Sequence, residues 1–258
     1  TVVDADGLRR ITLVDAARRN ALSMRMMTAL TEAIAAAGAD PEVRVVILAA
    51  EGPAFSAGHD LKELTAARAA SDRGRAFFEE TMRTCAGLML AIVRCPKPVI
   101  AEVAGVATAA GCQLVASCDL AVAAEGARFA TPGVHIGLFC STPMVALSRN
   151  LSRKHAMEML LTGAMVDAEE ARRLGLVNRV VAPDVLTAET ETLAAVIASK
   201  SPLTLKIGKE AFYAQAEMSL SDAYEFTARV MVENMLTRDA EEGISAFVEK
   251  RHPVWEGR

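Results

Sequence analysis

Apolar positions along the chain follow two rhythms. Short runs rich in valine and isoleucine, at Val43–Ala49, Val99–Val103 and Leu120–Ala124, have the length and β-branched content of buried strands. Leu8–Val14 alternates enough to be another, and Arg128–Ala130 and Val177–Val181 read as shorter ones. Between them apolar residues recur every three or four positions. Met26, Met27, Leu30 and Ile34 form a helical stripe, with Ser23 as N-cap and Gly38 as stop. Phe78, Met82, Cys85, Leu88, Met89 and Ile92 line one side of a helix over 77–92, which Pro96 and Pro98 end. Further helices are expected over 142–151, over 153–161 between Ser152 and Gly163, and from Asp167. From Asp184 the pattern is helical nearly to the end, broken at Pro202. Strands alternating with helices predict an α/β protein.

Two strand-to-helix corners stand out. Val99–Val103 feeds a turn at Gly105, a small-residue helix over about Ala109–Ser117 follows, and Leu120–Ala124 leaves it. The first turn of a helix has amide N–H groups without internal partners, suited to an anion or a carbonyl oxygen about to become one. By itself this stretch reads equally as an Ala/Gly helix packed tightly on a sheet. Upstream, Phe55-Ser56-Ala57-Gly58-His59-Asp60-Leu61-Lys62 reads as strand, loop and short helix, with Gly58 free to take an unusual backbone angle. The two corners, about fifty residues apart, can aim one N–H each at a common point. That pair would make an oxyanion hole, in which one donor is worth roughly 2.7–4 kcal/mol.

Composition narrows the class. With 258 residues, 52% hydrophobic and 23% charged, the chain can bury a substantial core as one large domain or one domain plus an appendage. A net charge of −4 and an acidic pI of 5.7 argue against a nucleic-acid footprint. Five cysteines form no C-x-x-C or zinc spacing and read as reduced, mostly buried thiols; no metal site is expected. The longest uncharged stretch, sixteen residues between Glu102 and Asp119, is short for a bilayer span, so no membrane insertion is expected. Cytoplasm is the expected compartment, although a removed organelle transit peptide would leave no trace here.

The motifs also resemble a known family, essentially end to end. They are R-R-N-A-L at Arg18–Leu22, F-S-A-G-H-D-L-K, K-P-V-I-A at Lys97–Ala101, A-G-V-A…G-C-Q-L…C-D-L, F-A-T-P, M-E-M-L-L-T-G at Met157–Gly163, A-R-R-L-G-L-V at Ala171–Val177 and F-V-E-K-R at Phe247–Arg251. Together they resemble the crotonase, or enoyl-CoA hydratase/isomerase, superfamily. A-T-A-A-G-C-Q-L, I-G-L-F-C-S-T-P and H-P-V-W look like its enoyl-CoA hydratase domain-containing protein 3 branch. The resemblance implies a ClpP-like spiral of β-β-α units over 1–200 that binds acyl-CoA, and a helical oligomerisation region over 201–258. It implies a homotrimer or dimer of trimers, and no permanently bound cofactor, coenzyme A arriving as part of the substrate. The thioester oxygen would lie between the N–H groups of His59 and Ala110, the second position being usually glycine in the family. Coenzyme contacts would come from Arg18, Ala21, Ala57, Asp60, Leu61, Lys62 and Gly111, with Lys250 reaching a neighbouring subunit's or domain's ligand.

One departure governs the chemistry. Hydrating an enoyl thioester needs a held water and a proton for the α-carbon, work that a pair of glutamates does in hydratases resembling this chain. Their positions here are Gln113 and Gly133, and both acids are missing. A glutamine amide keeps the shape but cannot shuttle protons near neutral pH. Ser141 stands where some isomerases of the superfamily carry an aspartate. His135, two residues past the lost acid, has a pKa range suited to a base, or else is a loop histidine pointing elsewhere. Cys140 is either a nucleophile toward a thioester or a buried inert thiol. Asp119 is expected to accept hydrogen bonds at a strand entrance. The expectation is therefore an acyl-CoA enzyme of hydratase ancestry with weak or altered hydration. The alternatives are a non-catalytic acyl-CoA-binding protein and, third, an oligomeric scaffold.

Overall fold

Three successive strand pairs send their first member to one sheet and their second to another. A computed structural model covering residues 1–258 begins with a hairpin, β1 (Val2–Ala5) and β2 (Leu8–Leu13), and then α1 (Met24–Ala39). Three β-β-α turns come next. They are β3 (Val45–Ala50), β4 (Ala54–Ser56), α2 (Leu61–Ala67) and α3 (Arg75–Arg94); then β5 (Val99–Val103), β6 (Val106–Thr108) and α4 (Ala110–Ser117); then β7 (Leu120–Ala124), β8 (Arg128–Ala130), α5 (Pro143–Asn150) and α6 (Arg153–Thr162). The chain continues through β9 (Val166–Asp167), α7 (Ala168–Leu174), β10 (Arg179–Val181) and α8 (Leu186–Ala198) to the closing helices α9 (Pro202–Gln215), α10 (Leu220–Met235) and α11 (Arg238–Glu249). The larger sheet has the order β1-β2-β3-β5-β7-β10 and the smaller β4-β6-β8-β9. β3, β5 and β7 pair in parallel in one, and β4, β6 and β8 in parallel in the other. Each turn thus advances both sheets by one strand, which is the spiral that the motifs imply.

Most local signals match the sequence, although α1 runs through Gly38, the expected stop, to Ala39. β3 and β5 are apolar almost throughout because both faces are covered. Ser23 Oγ accepts from Met26 N and starts α1, whose buried face is Met27, Leu30, Ile34 and Ala37. Ser152 caps α6, and Gly163 ends it at φ 62°. Differences fall on the shortest elements. The apolar pattern does not predict β1, β6 or β9, because two to four residues carry no usable period and are made strands by their neighbours. Residues Pro132–Ile136, expected as a loop, form a 3-10 helix. No helix is long and apolar enough to cross a membrane.

Candidate active site

The first corner is built around a buried asparagine. Asn20, fully buried, donates through Nδ2 to the carbonyls of Glu51 and Ala54, and its Oδ1 accepts from Asp15 N. Ser56 Oγ donates to the Asn20 carbonyl at 2.8 Å, Ala57 N to the Arg19 carbonyl at 3.0 Å, and Leu22 N to the Gly58 carbonyl at 2.8 Å. The R-R-N-A-L loop is therefore stitched to the strand leaving β4. Sequence reasoning misses the part Asn20 plays; its positive φ of 51° and three side-chain partners exist only in the fold. Asp60 then caps α2, accepting from the N–H groups of Lys62 and Glu63, with Arg18 Nη1 at 3.9 Å.

The second corner is pressed onto the first. Ala109 takes φ 51° and ψ −119°, an angle usually left to glycine, and α4 starts at the next residue. A β-carbon on Gly111 would lie 2.2 Å from the Ser56 carbonyl oxygen, so only glycine permits this approach. A β-carbon on Gly58, itself at φ 88°, would lie 3.2 Å from Ala110 N and 3.0 Å from the Thr108 carbonyl oxygen. The two corners are thus in backbone contact. His59 N–H donates to no group of the chain, and Ala110, as the first residue of α4, has no carbonyl four residues back within its helix.

The positions of the absent acids are closed. Gln113, one turn into α4, is 4% exposed, and Cys85 Sγ of α3 lies 3.8 Å from its Oε1. A β-carbon on Gly133 would meet the Leu138 carbonyl oxygen at 2.5 Å and Cys140 Sγ at 2.8 Å, so the loop 138–140 fills the space of a side chain there. His135, weighed as a base or as a loop histidine pointing elsewhere, does not share a face with Gly133. In a 3-10 helix successive residues turn by about 120°, so residues two apart do not share a face. Its ring is exposed beside Gly163 at the end of α6, where a β-carbon would stand 2.9 Å from Nε2. Ser141 is exposed. Burial raises the pKa of every thiol, to about 11 for Cys85 and about 12 for Cys112, and raises that of Cys140 as well. Burial of Cys140 thus works against the thiolate that a nucleophile needs.

The remaining residues divide by exposure. Arg18, Ala57, Leu61 and Lys62 are exposed around the first corner, and Ala21 is half-buried beside it. Gly111 is buried against Ser56. Lys250 ends α11 at φ 57° with its side chain in solvent. Asp119, as expected, accepts from Val99 N at the mouth of β5. It also binds Lys209 Nζ at 2.7 Å and Tyr213 OH at 2.9 Å, both from α9, and Lys209 donates as well to the carbonyls of Ile92 and Lys97.

Comparison with known proteins agrees with this architecture. The family described as enoyl-CoA hydratase/isomerase matches residues 4–258. Mitochondrial enoyl-CoA hydratase domain-containing protein 3 of Xenopus laevis is 51% identical over 249 residues, covering 96% of this chain and 83% of that protein. The crystal structure of the human protein of that name superposes with a TM-score of 0.94 at 47% identity, covering 99% of both chains. An enoyl-CoA hydratase structure from Mycobacterium smegmatis gives 0.93 at 49% identity, with 98% of each chain covered.

Proposed function

The chain belongs to the enoyl-CoA hydratase/isomerase family, and from that premise we propose that it binds an acyl-CoA thioester at the junction of the two corners. The thioester oxygen lies between His59 N–H and Ala110 N–H, and the observation that carries this reading is the 3.2 Å approach of the Gly58 β-position to Ala110 N. Two N–H groups held by packed backbone need no reorganisation when charge develops on that oxygen. The exposed Arg18 and Lys62 suit the coenzyme's phosphates, with Ala21, Ala57, Leu61 and the capped Asp60 shaping the channel.

Residues 1–200 form the binding core in this reading and 201–258 the oligomerisation region. α9 and α10 bury no residue within their own chain, and Leu220, Tyr224, Leu236 and Phe247 are each more than 70% exposed. A homotrimer, or two trimers face to face, would cover that surface and bring Lys250 toward a neighbour's ligand. The relatives' mitochondrial names point to an organelle interior beside the cytoplasm expected above, and the buried free thiols suit either reducing compartment.

Hydration of 2-enoyl-CoA is the inherited reaction, weak or altered here because Gln113 cannot exchange protons and Gly133 offers no group at all. The packing at Gly133 supports this, since a glutamate there would displace the Leu138 carbonyl. The second reading is an acyl-CoA-binding protein without turnover, favoured by the same closed position. Purified protein incubated with enoyl-, 3-hydroxyacyl- and saturated acyl-CoA, followed by mass and by calorimetry, separates the two. Turnover of any thioester supports the enzyme, binding without turnover supports the binding protein, and no binding overturns both.

A further inference from the structure

Ala109 is held in a backbone conformation that alanine does not favour. Its φ of 51° and ψ of −119° belong to the first central position of a type II′ turn, where the β-carbon of an L-residue crowds its own backbone and glycine is the usual occupant. The surroundings leave it no other angle. Its N–H donates to the Ala130 carbonyl of β8 at 2.9 Å, and its carbonyl accepts from Gln113 N of α4 at 3.0 Å. Glycine would take this conformation freely. The half-buried methyl, leaning on the edge of the core, recovers only part of the strain. Folding alone therefore does not explain the side chain.

Its position does. Ala109 immediately precedes Ala110, and its methyl carbon would stand 2.9 Å from a β-carbon on Gly58, the residue immediately before His59. The methyl is thus adjacent to both N–H groups assigned above to the thioester oxygen, and its role rests on that reading. Bond lengths place it within about 4 Å of Ala110 N, and so within about 7 Å of any oxygen held there. Residue 109 keeps contact with solvent, while Ala110 and Gly111 behind it are buried, so it lines the open side of the junction. It also lies toward the acyl group. Arg18 and Lys62, suited to the coenzyme's phosphates, belong to the first corner. Gln113, where hydratases resembling this chain carry one of their acids, is one helical turn beyond Ala109.

We infer that the Ala109 methyl occupies the room that a substituent on carbon 2 of the acyl group would need, so that the site takes thioesters unbranched next to the carbonyl and turns away those branched there. Carbon 2 is bonded to the carbonyl carbon, so two hydrogen bonds to the carbonyl oxygen fix where it lies. A branch there cannot be moved aside without giving up one of those bonds. One methyl excluding another works by contact alone, which sets the expected discrimination at about tenfold.

The test is calorimetric titration of wild type, Ala109→Gly and Ala109→Ser with the isomers butyryl-CoA and isobutyryl-CoA, which differ only in where the last carbon is attached. Isovaleryl-CoA, branched one carbon further out, is the control, and thermal unfolding of each ligand-free protein accompanies the titrations. Wild type should bind butyryl-CoA about tenfold more tightly than isobutyryl-CoA, and isovaleryl-CoA without that penalty. Ala109→Gly should bring the isomers within about twofold by tightening the branched one. Its melting temperature should hold or rise as the strain is released. Ala109→Ser, of similar bulk, should keep the discrimination. Equal binding of the isomers by wild type, an equal penalty on isovaleryl-CoA, an undiminished preference in Ala109→Gly or a lost one in Ala109→Ser would overturn the inference while leaving the thioester reading in place. A clear fall in the melting temperature of Ala109→Gly would assign the methyl to stability and overturn it as well. Failure of wild type to bind any of the three thioesters would overturn both.

Discussion

The junction of β4 with α4 and the helices that close the chain are held by opposite means. At the junction, backbone touches backbone: Gly111 lies on the Ser56 carbonyl and Gly105 on the Pro53 carbonyl, with no room for a single added carbon. In the closing helices, α9 and α10 bury no residue, while Phe247 is 86% and Leu236 77% exposed. What fastens them is a few discrete polar ties. Lys209 and Tyr213 reach Asp119, and the buried Asp239 accepts from Ser201 Oγ and from the N–H groups of Glu256 and Gly257. Arg251 pairs in a bidentate fashion with Glu242. Contact packing fixes a position to within a fraction of an ångström, as the pair of N–H donors proposed for this junction requires. Separate ties hold a surface in place while leaving its apolar face open to a partner.

The largest test of this contrast is Gly111→Val. Its side chain overlaps the Ser56 carbonyl, and a loss of about 4 kcal/mol, or no soluble protein, is expected in guanidinium unfolding. A stable variant would mean that the junction is looser than a packed contact. Next comes Lys209→Met, which strips a cation from a pair whose side chains are only 7% and 17% exposed. About 3 kcal/mol should be lost in urea titrations, and Asp119→Asn in the same chain should recover part of it. Asp239→Ala should cost about 2 kcal/mol and speed proteolysis after Arg251, with the rest of the chain intact.

Acid should act on the closing segment and on the junction through different groups. Arg251 and the Val254 N–H hold the Glu242 carboxyl at about 2, below its unfolded value of 4.5. The unfolded chain then binds the proton first, so this stabilisation is complete above about pH 4.5 and is lost as pH falls toward 2. Glu242→Gln should flatten that part of the stability profile. His59, also lowered by burial from 6.5, adds a loss that begins as pH falls below its unfolded value and that His59→Leu should remove. The smallest effect on the subunit itself is expected for Phe247→Ser with Leu236→Ser, within about 0.5 kcal/mol. Sedimentation should nevertheless show smaller assemblies, and an unchanged sedimentation profile would sever exposure from assembly.

Elements whose cause is local were legible along the chain. The Ser23 and Ser152 caps, the Gly163 stop and the stripe of α1 rest on interactions within one or two turns, and they stand where the pattern put them. The two corners were legible as residue types, small and glycine-rich, because close backbone approach admits little else. The role of Asn20 was not, since its partners come from Asp15, Glu51 and Ala54. Nor was the turn that carries His135 away from Gly133, which depends on residues 132–136 winding as a 3-10 helix against α6.

The sequence by itself determined the order of the longer strands and helices, the family and the absence of both glutamates, because each is written in residue identity at short range. Only the tertiary structure decided that Gly58 meets Ala110, that the Gly133 position is filled by a carbonyl and that the His59 ring has no partner. Those facts depend on distances between residues far apart in the chain, and such distances exist only once the strands have paired and the core has closed.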